Sequence, residues 1–461
     1  MDPEEATNME KETKYEEEVP GHKVVVVSPV DVVTSGVTNA IERPIYILPI
    51  IVFAQFAGTS LWFAGNAVLP DLVDTWGLSE SSLSYITSSV QFGFIVGTLV
   101  FALLNVADVL PPTLVFGACA LLGAFVNAMI PFWESMAGLI ILRFCTGFAL
   151  AGIYPVGMKV AADWYPGGGL GRALGWLVGA LAVGSAVPFL LRQIPQSWQA
   201  LVWETSALAA SGGILAVAFV PNGPYHTRTT KVDPSVAFNL FRTHPLFRSA
   251  AFGFFGHMFE VYAFWTWLPV VWKAYLEEQH VDWDASVVTF CVVAIGGLGC
   301  VIGGYASERY GSARVAFASL ALSGFLCFLS PALYDSPPAI HLFFYLIWGM
   351  AVVADSPQFS SLIAQTCPPE YTGTALTIVN CIGYVISIAT IELLAVPIPE
   401  RYLFLLLALG SVIGLWSMRP LVFPAGSPFL QDSESPETSD QTEEGEPLPA
   451  TTDHVSNDSN A

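Results

Sequence analysis

The chain has 461 residues, of which 54% are apolar and only 12% are charged. Soluble domains carry roughly 25% charged residues, so this composition nearly excludes a water-soluble fold. The formal net charge of −21 is concentrated at the two ends. Residues 1–42 contain 10 acidic and 3 basic residues, and residues 424–461 contain 9 acidic residues and no Lys or Arg. The middle of the chain is therefore close to neutral, which argues against a nucleic-acid partner.

The two ends of the chain are predicted to be disordered tails. Residues 1–43 are acidic and lack the basic and then apolar pattern of a cleavable signal peptide. Residues 424–461 are rich in Ser, Thr, Pro and acidic residues. Neither segment has enough apolar side chains to bury, so neither is expected to fold.

Between the tails, twelve apolar runs are long enough to cross a bilayer as helices, which takes about 20 residues each. A polar link at 221–247 separates a six-helix half at 44–220 from a second at 248–423. The predicted fold is therefore an all-α membrane protein with twelve spans in two halves. The spans are predicted near 45–68, 84–106, 112–132, 137–158, 172–193, 200–220, 248–272, 286–307, 314–334, 340–364, 371–396 and 401–422.

The distribution of Lys and Arg predicts the orientation of these spans. If the N-terminus is cytosolic, 13 of the 17 Lys and Arg fall on the cytosolic side and only Arg192, Lys273 and Arg401 fall on the other. Cytosolic loops carry the excess of positive charge in membrane proteins. Both termini and the 221–247 link are therefore predicted to be cytosolic, and that side is called inner below.

Prolines and acidic residues at the ends and middles of spans recur in the two halves at a nearly constant spacing. Pro70 and Pro269 are 199 residues apart, and Asp108 and Glu308 are 200 apart. The pairs Tyr154-Pro155 and Ser356-Pro357 are separated by 202. This common order indicates duplication of a six-helix unit, and such repeats place a transport pathway at their shared interface.

Two motifs carry a family resemblance. Residues 304–314, GYASERYGSAR, match a G-x-x-x-D-R-x-G-x-x-R loop with Glu308 in place of Asp. The corresponding loop after the second span keeps Asp108 but loses its first Gly and its basic residues. Arg143 and Gly147 match an R-x-x-x-G element. On these residues the chain resembles the major facilitator superfamily across 43–423. The stretches SLWFAGNAVLPDL and FGHMFEVYAFWTWLP are similar to a prokaryotic-type branch of nitrate/cyanate-like permeases.

The resemblance implies a central cavity lined by the first, fourth, seventh and tenth helices. It also implies a cytosolic gate at the matched loops, where a carboxylate pairs with a guanidinium or caps a helix. A solvated loop pair worth under ~1 kcal/mol is the alternative. The gate residues it implies are Asp108, Gly304, Glu308, Arg309, Gly311 and Arg314.

Four ionisable side chains lie inside predicted spans, where they are costly and indicate function. They are Arg143, His257, Glu260 and Asp355. His257 and Glu260 are three residues apart and so are expected to share a helix face. His257 and Asp355 each lie about 14 Å from the inner end of their spans. These three residues are predicted to carry a proton in the cavity, with a purely structural polar cluster as the alternative.

Arg143 and the first helix complete the predicted cavity. Arg143 has three open roles, which are attracting an anionic substrate, coupling to protons, and pairing with backbone carbonyls. On the first helix, Gln55, Thr59 and Asn66 share a face. Trp62 and Trp265 offer rings that can stack on a planar substrate, or that simply pack.

The sequence therefore predicts a secondary-active transporter of a small organic anion or zwitterion, coupled to protons and working by alternating access. A transporter-fold receptor, a facilitative uniporter and a membrane-embedded enzyme are the alternatives. The seven Cys show no metal-ligand spacing and no GxxxxGK[ST] loop is present, so no metal, cofactor or enzymatic activity is predicted. The expected partners are the small-molecule substrate, protons and the lipid bilayer. We expect a monomer in the plasma membrane or an organelle membrane.

Overall fold

The computed structural model describes residues 44–79, 82–165, 169–194, 196–225 and 234–423. The two predicted tails lie outside these residues. The described chain is helical, and its long helices follow the predicted spans. Numbered in chain order, spans 1 to 12 are Ile47–Trp76, Ser82–Leu103, Pro112–Phe132, Met136–Trp164, Leu170–Leu191, Trp198–Phe219, Pro245–Glu278, Ala285–Tyr310, Ser312–Leu333, Pro338–Thr366, Pro369–Leu393 and Glu400–Val422.

Eleven of these helices are long and apolar enough to cross a membrane by length and composition alone. The exception in the described chain is span 7, which has 34 residues. Its His257 and Glu260 lower its mean hydropathy, although both side chains are buried. Span 7 packs against spans 11 and 12 and completes the second half. The twelve-helix prediction is confirmed. A shorter helix, Pro234–Thr243, lies in the link between the halves.

Three spans are broken near their middles. Span 1 consists of Ile47–Thr59 and Ala64–Trp76, span 4 of Met136–Leu150 and Tyr154–Trp164, and span 10 of Pro338–Ala354 and Ser356–Thr366. In spans 4 and 10 the second helix starts with Pro155 or Pro357 in its first turn. Proline has no N–H to donate, so it suits a helix start and interrupts a continuous helix. Irregular backbone at the centre of the fold is tolerated where it is buried in protein.

The two halves meet along spans 5 and 8 and along spans 2 and 11. Glycines allow spans 5 and 8 to approach backbone to backbone. A Cβ on Gly179 would lie 2.8 Å from the Gly297 carbonyl oxygen, and one on Gly175 would lie 3.0 Å from that of Cys300. Small residues at a helix interface permit this close packing inside a membrane. The seams leave a cavity between the halves.

Candidate functional site

The central cavity is small, with a volume of about 20 Å³, and is lined by spans 4, 5, 7, 10 and 11. Most of its wall is apolar or aromatic. Its aromatic residues are Tyr154, Phe254, Tyr262, Trp265 and Tyr384, and its polar side chains besides the tyrosines are His257, Ser356, Ser360 and Asn380. A mainly apolar pocket with a few polar groups is typical of small-molecule sites.

An aromatic layer closes the outer side of this cavity. The Trp62 ring, from the break in span 1, stacks on Tyr262 with ring centroids 5.4 Å apart and on Tyr384 at 5.9 Å. The hydroxyls of Tyr262 and Tyr384 share a hydrogen bond of 2.8 Å. Phe63 packs edge-on against Trp265 at 6.2 Å. Trp62 and Phe63 belong to the first half and their partners to the second, so the layer joins the two halves.

His257 and Asp355 come together beside the cavity. His257 Nδ1 lies 2.9 Å from Asp355 Oδ1, and the side chains are only 2% and 1% exposed. The contact is within ion-pair distance but outside hydrogen-bond geometry. On the other side of the ring, His257 Nε2 and Ser356 Oγ share a hydrogen bond of 2.7 Å. The break in span 10 places Asp355 and Ser356 on either side of the imidazole.

Glu260 points away from the cavity, so its predicted placement there is wrong. Its Oε1 accepts hydrogen bonds from Trp348 Nε1 at 2.9 Å and from Ser323 Oγ, and its Oε2 accepts one from Ser411 Oγ at 2.9 Å. These donors come from spans 10, 9 and 12. Residues three apart on a helix differ in direction by about 60°. In span 7 that angle separates the cavity from the interior of the second half.

Arg143 takes the third of its three open roles, and its predicted placement in the cavity is also wrong. Its guanidinium is fully buried. Nη2 donates to the carbonyls of Leu61, at 2.9 Å, and Trp62, and Nη1 donates to Asn127 Oδ1 at 3.2 Å. The carbonyls belong to the break that follows the helix Ile47–Thr59. A cation at the carboxyl end of a helix is favoured by the helix dipole. Arg143 therefore fixes the break that carries Trp62.

The predicted polar face of span 1 is buried inside the first half and does not line the cavity. Thr59 Oγ1 donates to the carbonyl of Gln55 at 2.9 Å. Asn66 Nδ2 donates to Thr87 Oγ1 at 2.6 Å. The amide of Gln55 lies against Gly157, where an added Cβ would come within 2.3 Å of Gln55 Oε1. Of the two predicted tryptophans, Trp265 lines the cavity and Trp62 forms the aromatic layer.

The inner end of the bundle holds an ion pair between the halves. Glu308 Oε1, at the end of span 8, lies 2.9 Å from Arg172 Nε, at the start of span 5. The sequence motif suggested Arg309 as the neighbouring base, but the Arg309 guanidinium lies over the Tyr310 ring at 5.5 Å. Asp108 pairs with Lys159 of its own half. The contact between the halves at the inner end is thus made by Glu308 and Arg172.

The glycines of the matched loop have backbone roles. Gly311 has φ +84° and ψ 145°, a conformation that is essentially restricted to glycine, and span 9 starts directly after it. Gly304 lies close to span 5, since an added Cβ would be 3.2 Å from the Gly171 carbonyl oxygen. Arg314 is exposed. Among the described residues, no three His, Cys, Asp or Glu side chains are grouped as a metal site requires.

Several cavity residues were missed by sequence analysis. Ser356, Ser360, Asn380, Tyr262 and Tyr384 are uncharged, so nothing in the sequence separates them from other polar residues in the spans. Arg172 had a signal, because Gly171-Arg172-Ala173-Leu174 is similar to Gly373-Thr374-Ala375-Leu376, which lies 202 residues later. That signal concerned the repeat and did not predict a gate.

Two helical halves around a central cavity, with contacts between the halves on both sides of it, are the architecture of a membrane transporter. The sequence profile of the Major Facilitator Superfamily matches residues 51–391, and the chain belongs to this superfamily. Its members are transporters of small solutes, not enzymes.

Similar proteins extend this picture. The benzoate transport protein of Acinetobacter baylyi is 22% identical over 406 residues, which cover 78% of this chain and 85% of that protein. The 3-(3-hydroxy-phenyl)propionate transporter of Escherichia coli is 29% identical over 83 residues, covering 18% of this chain and 20% of that one.

Solved structures show the same fold. The human organic anion transporter MFSD10 superposes with a TM-score of 0.65 at 14% identity, over 81% of this chain and 98% of that one. The proton:xylose symporter XylE superposes with a TM-score of 0.65 at 12% identity, over 82% of this chain and 96% of that one.

Proposed function

We propose that the chain carries a small organic anion, of the aromatic carboxylate class, across the membrane by alternating access and in symport with protons. One observation carries the proposal. Among the described residues that line the cavity, His257 is the only Lys, Arg or His. An anion in this cavity therefore meets a single side chain that carries a positive charge when it is protonated.

The cavity wall suits a flat substrate with one polar end. Aromatic rings stack on or pack edge-on against a planar ring. Ser360 and Asn380 add hydrogen-bond donors beside His257. The relative from Acinetobacter baylyi is named for benzoate and the one from Escherichia coli for 3-(3-hydroxy-phenyl)propionate, and both compounds are aromatic carboxylates. Neither Arg143 nor Glu260 lines the cavity, so these two residues do not offer opposite charges to a zwitterion there.

The contact between His257 and Asp355 links substrate charge to proton uptake. The pair is negative with no proton, neutral with one and positive with two. An anionic substrate is repelled by the first state and attracted by the last. Substrate binding therefore favours proton uptake, and by linkage proton uptake favours substrate binding to the same degree. A proton gradient can then drive accumulation of the anion.

Purified protein in proteoliposomes with radiolabelled benzoate tests the proposal. Wild-type protein should accumulate benzoate when the outside is acidic and only equilibrate it without a pH gradient. His257→Asn and Asp355→Asn should lose accumulation but still exchange benzoate down its own gradient. His280→Asn is the matched control, because His280 is exposed at the opposite end of span 7 from the inner gate. Its accumulation should match that of the wild type.

Three results would change the assignment. If benzoate only equilibrates, with or without a pH gradient, the protein is a facilitative uniporter. Binding without any flux would make it a receptor. Folded protein that neither binds nor carries any of a panel of aromatic carboxylates would refute the substrate class.

We also propose that the protein works as a monomer in the plasma membrane with both termini cytosolic. The cavity is formed within one chain, which supports a monomeric transport unit. The Lys and Arg excess supports the orientation. The division into halves at 44–220 and 248–423, joined by the link at 221–247, belongs to the same proposal. Epitope tags at either terminus should bind antibody only after the cells are permeabilised, and staining of intact cells would contradict this.

A further inference from the structure

The seam between spans 2 and 11 is closed at two levels. Nearer the outer end, Ser88 Oγ donates to Glu392 Oε1 at 2.6 Å. Nearer the centre, the rings of Phe94 and Tyr384 lie 4.6 Å apart. Span 2 belongs to the first half and span 11 to the second, so both contacts join the halves. The stretch of seam between them lies on the outer side of the aromatic layer.

Gln91 and Ser387 occupy that stretch. Gln91 lies midway between Ser88 and Phe94 on span 2, and Ser387 is one turn outward from the cavity-lining Tyr384 on span 11. Both side chains are 0% exposed. Neither the amide oxygen and nitrogen of Gln91 nor the hydroxyl of Ser387 has a hydrogen-bond partner among the described residues. Buried polar groups without partners are costly, and they are rare in native structures.

Three more unpaired donors surround the outer side of the cavity. Ser185, one turn outward from the cavity-lining Leu181 on span 5, is fully buried and its Oγ has no partner in the described part of the chain. The indole N–H groups of Trp62 and Trp265 are likewise buried and unpaired there. All of these groups can donate a hydrogen bond and none of them carries a charge.

We propose that these groups form an outer carboxylate-binding subsite. When the outer seam opens, the donors receive the carboxylate of the substrate before it passes the aromatic layer to His257. The inference rests on the proposed transport of an aromatic carboxylate. Neutral donors can hold an anion with several hydrogen bonds and still release it, because no opposite charge is left unpaired on departure. Binding at this subsite does not require a protonated side chain, so the pH-dependent step remains at His257 and Asp355.

The subsite predicts an effect on only one side of the membrane. Proteoliposomes of uniform orientation allow the half-saturation constant for benzoate to be measured from the outer and inner faces separately. Gln91→Leu and Ser387→Ala should each raise the outer constant, by about 10-fold for Gln91→Leu, since each bond to a charged group contributes about a tenfold change in affinity. The inner constant should stay within about 2-fold, and pH-driven accumulation should persist.

Thr98→Val is the matched control. Thr98 lies on span 2 four residues inward from Phe94, it is buried, and its hydroxyl is also unpaired among the described residues. Its replacement should leave the outer constant unchanged. Ser387→Ala keeps the test decisive if Gln91→Leu folds poorly, because it removes only an unpaired hydroxyl.

Equal changes at the two faces, or no change at either, would overturn the subsite and leave the proposed function standing. A change in Thr98→Val as large as that in Gln91→Leu would also overturn it, because the effect would then not depend on the outer position. If the wild type carries no aromatic carboxylate at all, the proposed function and the subsite fail together.

Discussion

The ion pair between Glu308 and Arg172 should stabilise the closed inner end, and Glu308→Gln should weaken it. The two atoms are 2.9 Å apart, and the side chains are 38% and 49% exposed. Ion pairs this accessible contribute about 0.2–1 kcal/mol and are screened by salt. Since the pair joins the two halves, its loss should raise the population of the inward-open state by a factor of roughly 1.4 to 5.

Labelling of an introduced cysteine measures this population. Ser360→Cys places a thiol in the cavity, and its reaction rate with a maleimide reports how often the inner end opens. Glu308→Gln and Arg172→Gln should each accelerate labelling, and the double variant should be no faster than either alone. Arg309→Gln is the control, because the Arg309 guanidinium lies over Tyr310 and not beside Glu308.

Additive effects of the two single substitutions would refute the pairing argument. An acceleration of the same size at high salt would also refute the argument. Salt screens a half-exposed ion pair and already weakens it in the wild type, so the substitutions should then have a smaller effect. An increase far above about 5-fold would show that Glu308 does more than form this pair.

Two further predictions concern the buried charges. Arg143→Leu leaves the carbonyls of Leu61 and Trp62 unpaired and should lower the free energy of unfolding by roughly 2–5 kcal/mol, measured by unfolding in detergent; a loss below about 1 kcal/mol would contradict the role of Arg143. The side chain of Glu260→Gln can still accept a hydrogen bond from Trp348, so this variant should fold and retain pH-driven accumulation. Glu260→Leu should lower the free energy of unfolding by about 2–4 kcal/mol. Loss of accumulation in a folded Glu260→Gln protein would return the proton role to Glu260.

The spans were predictable because bilayer thickness fixes their length and lipid excludes polar side chains. The positions of the breaks were also partly predictable, since Pro155 and Pro357 recur at the repeat spacing. Span 7 shows the limit of hydropathy. Its His257 and Glu260 are buried by neighbouring helices rather than exposed to lipid.

Side-chain direction was not predictable to the same degree. Depth along a helix depends only on residue count, and it placed His257 and Asp355 at the same level, where the structure has them in contact. The direction around the helix decides whether a residue faces the cavity or the bundle, and Glu260 differs from His257 by only about 60°. For Arg143, the partners are backbone carbonyls, which any sequence supplies. Nothing in residue type could identify them.

The contacts divide into those that lie within one half and those that cross between halves, and this division suits alternating access. His257 and Asp355 both belong to the second half, so rocking of one half against the other leaves their pairing intact. The stacking of Trp62 on Tyr262 and the pair of Glu308 with Arg172 both cross the interface and must separate when their side opens. The group proposed to bind protons can therefore keep one structure while its access changes from one side to the other. A proton taken up with substrate at one face would then be released at the other without any rebuilding of the site.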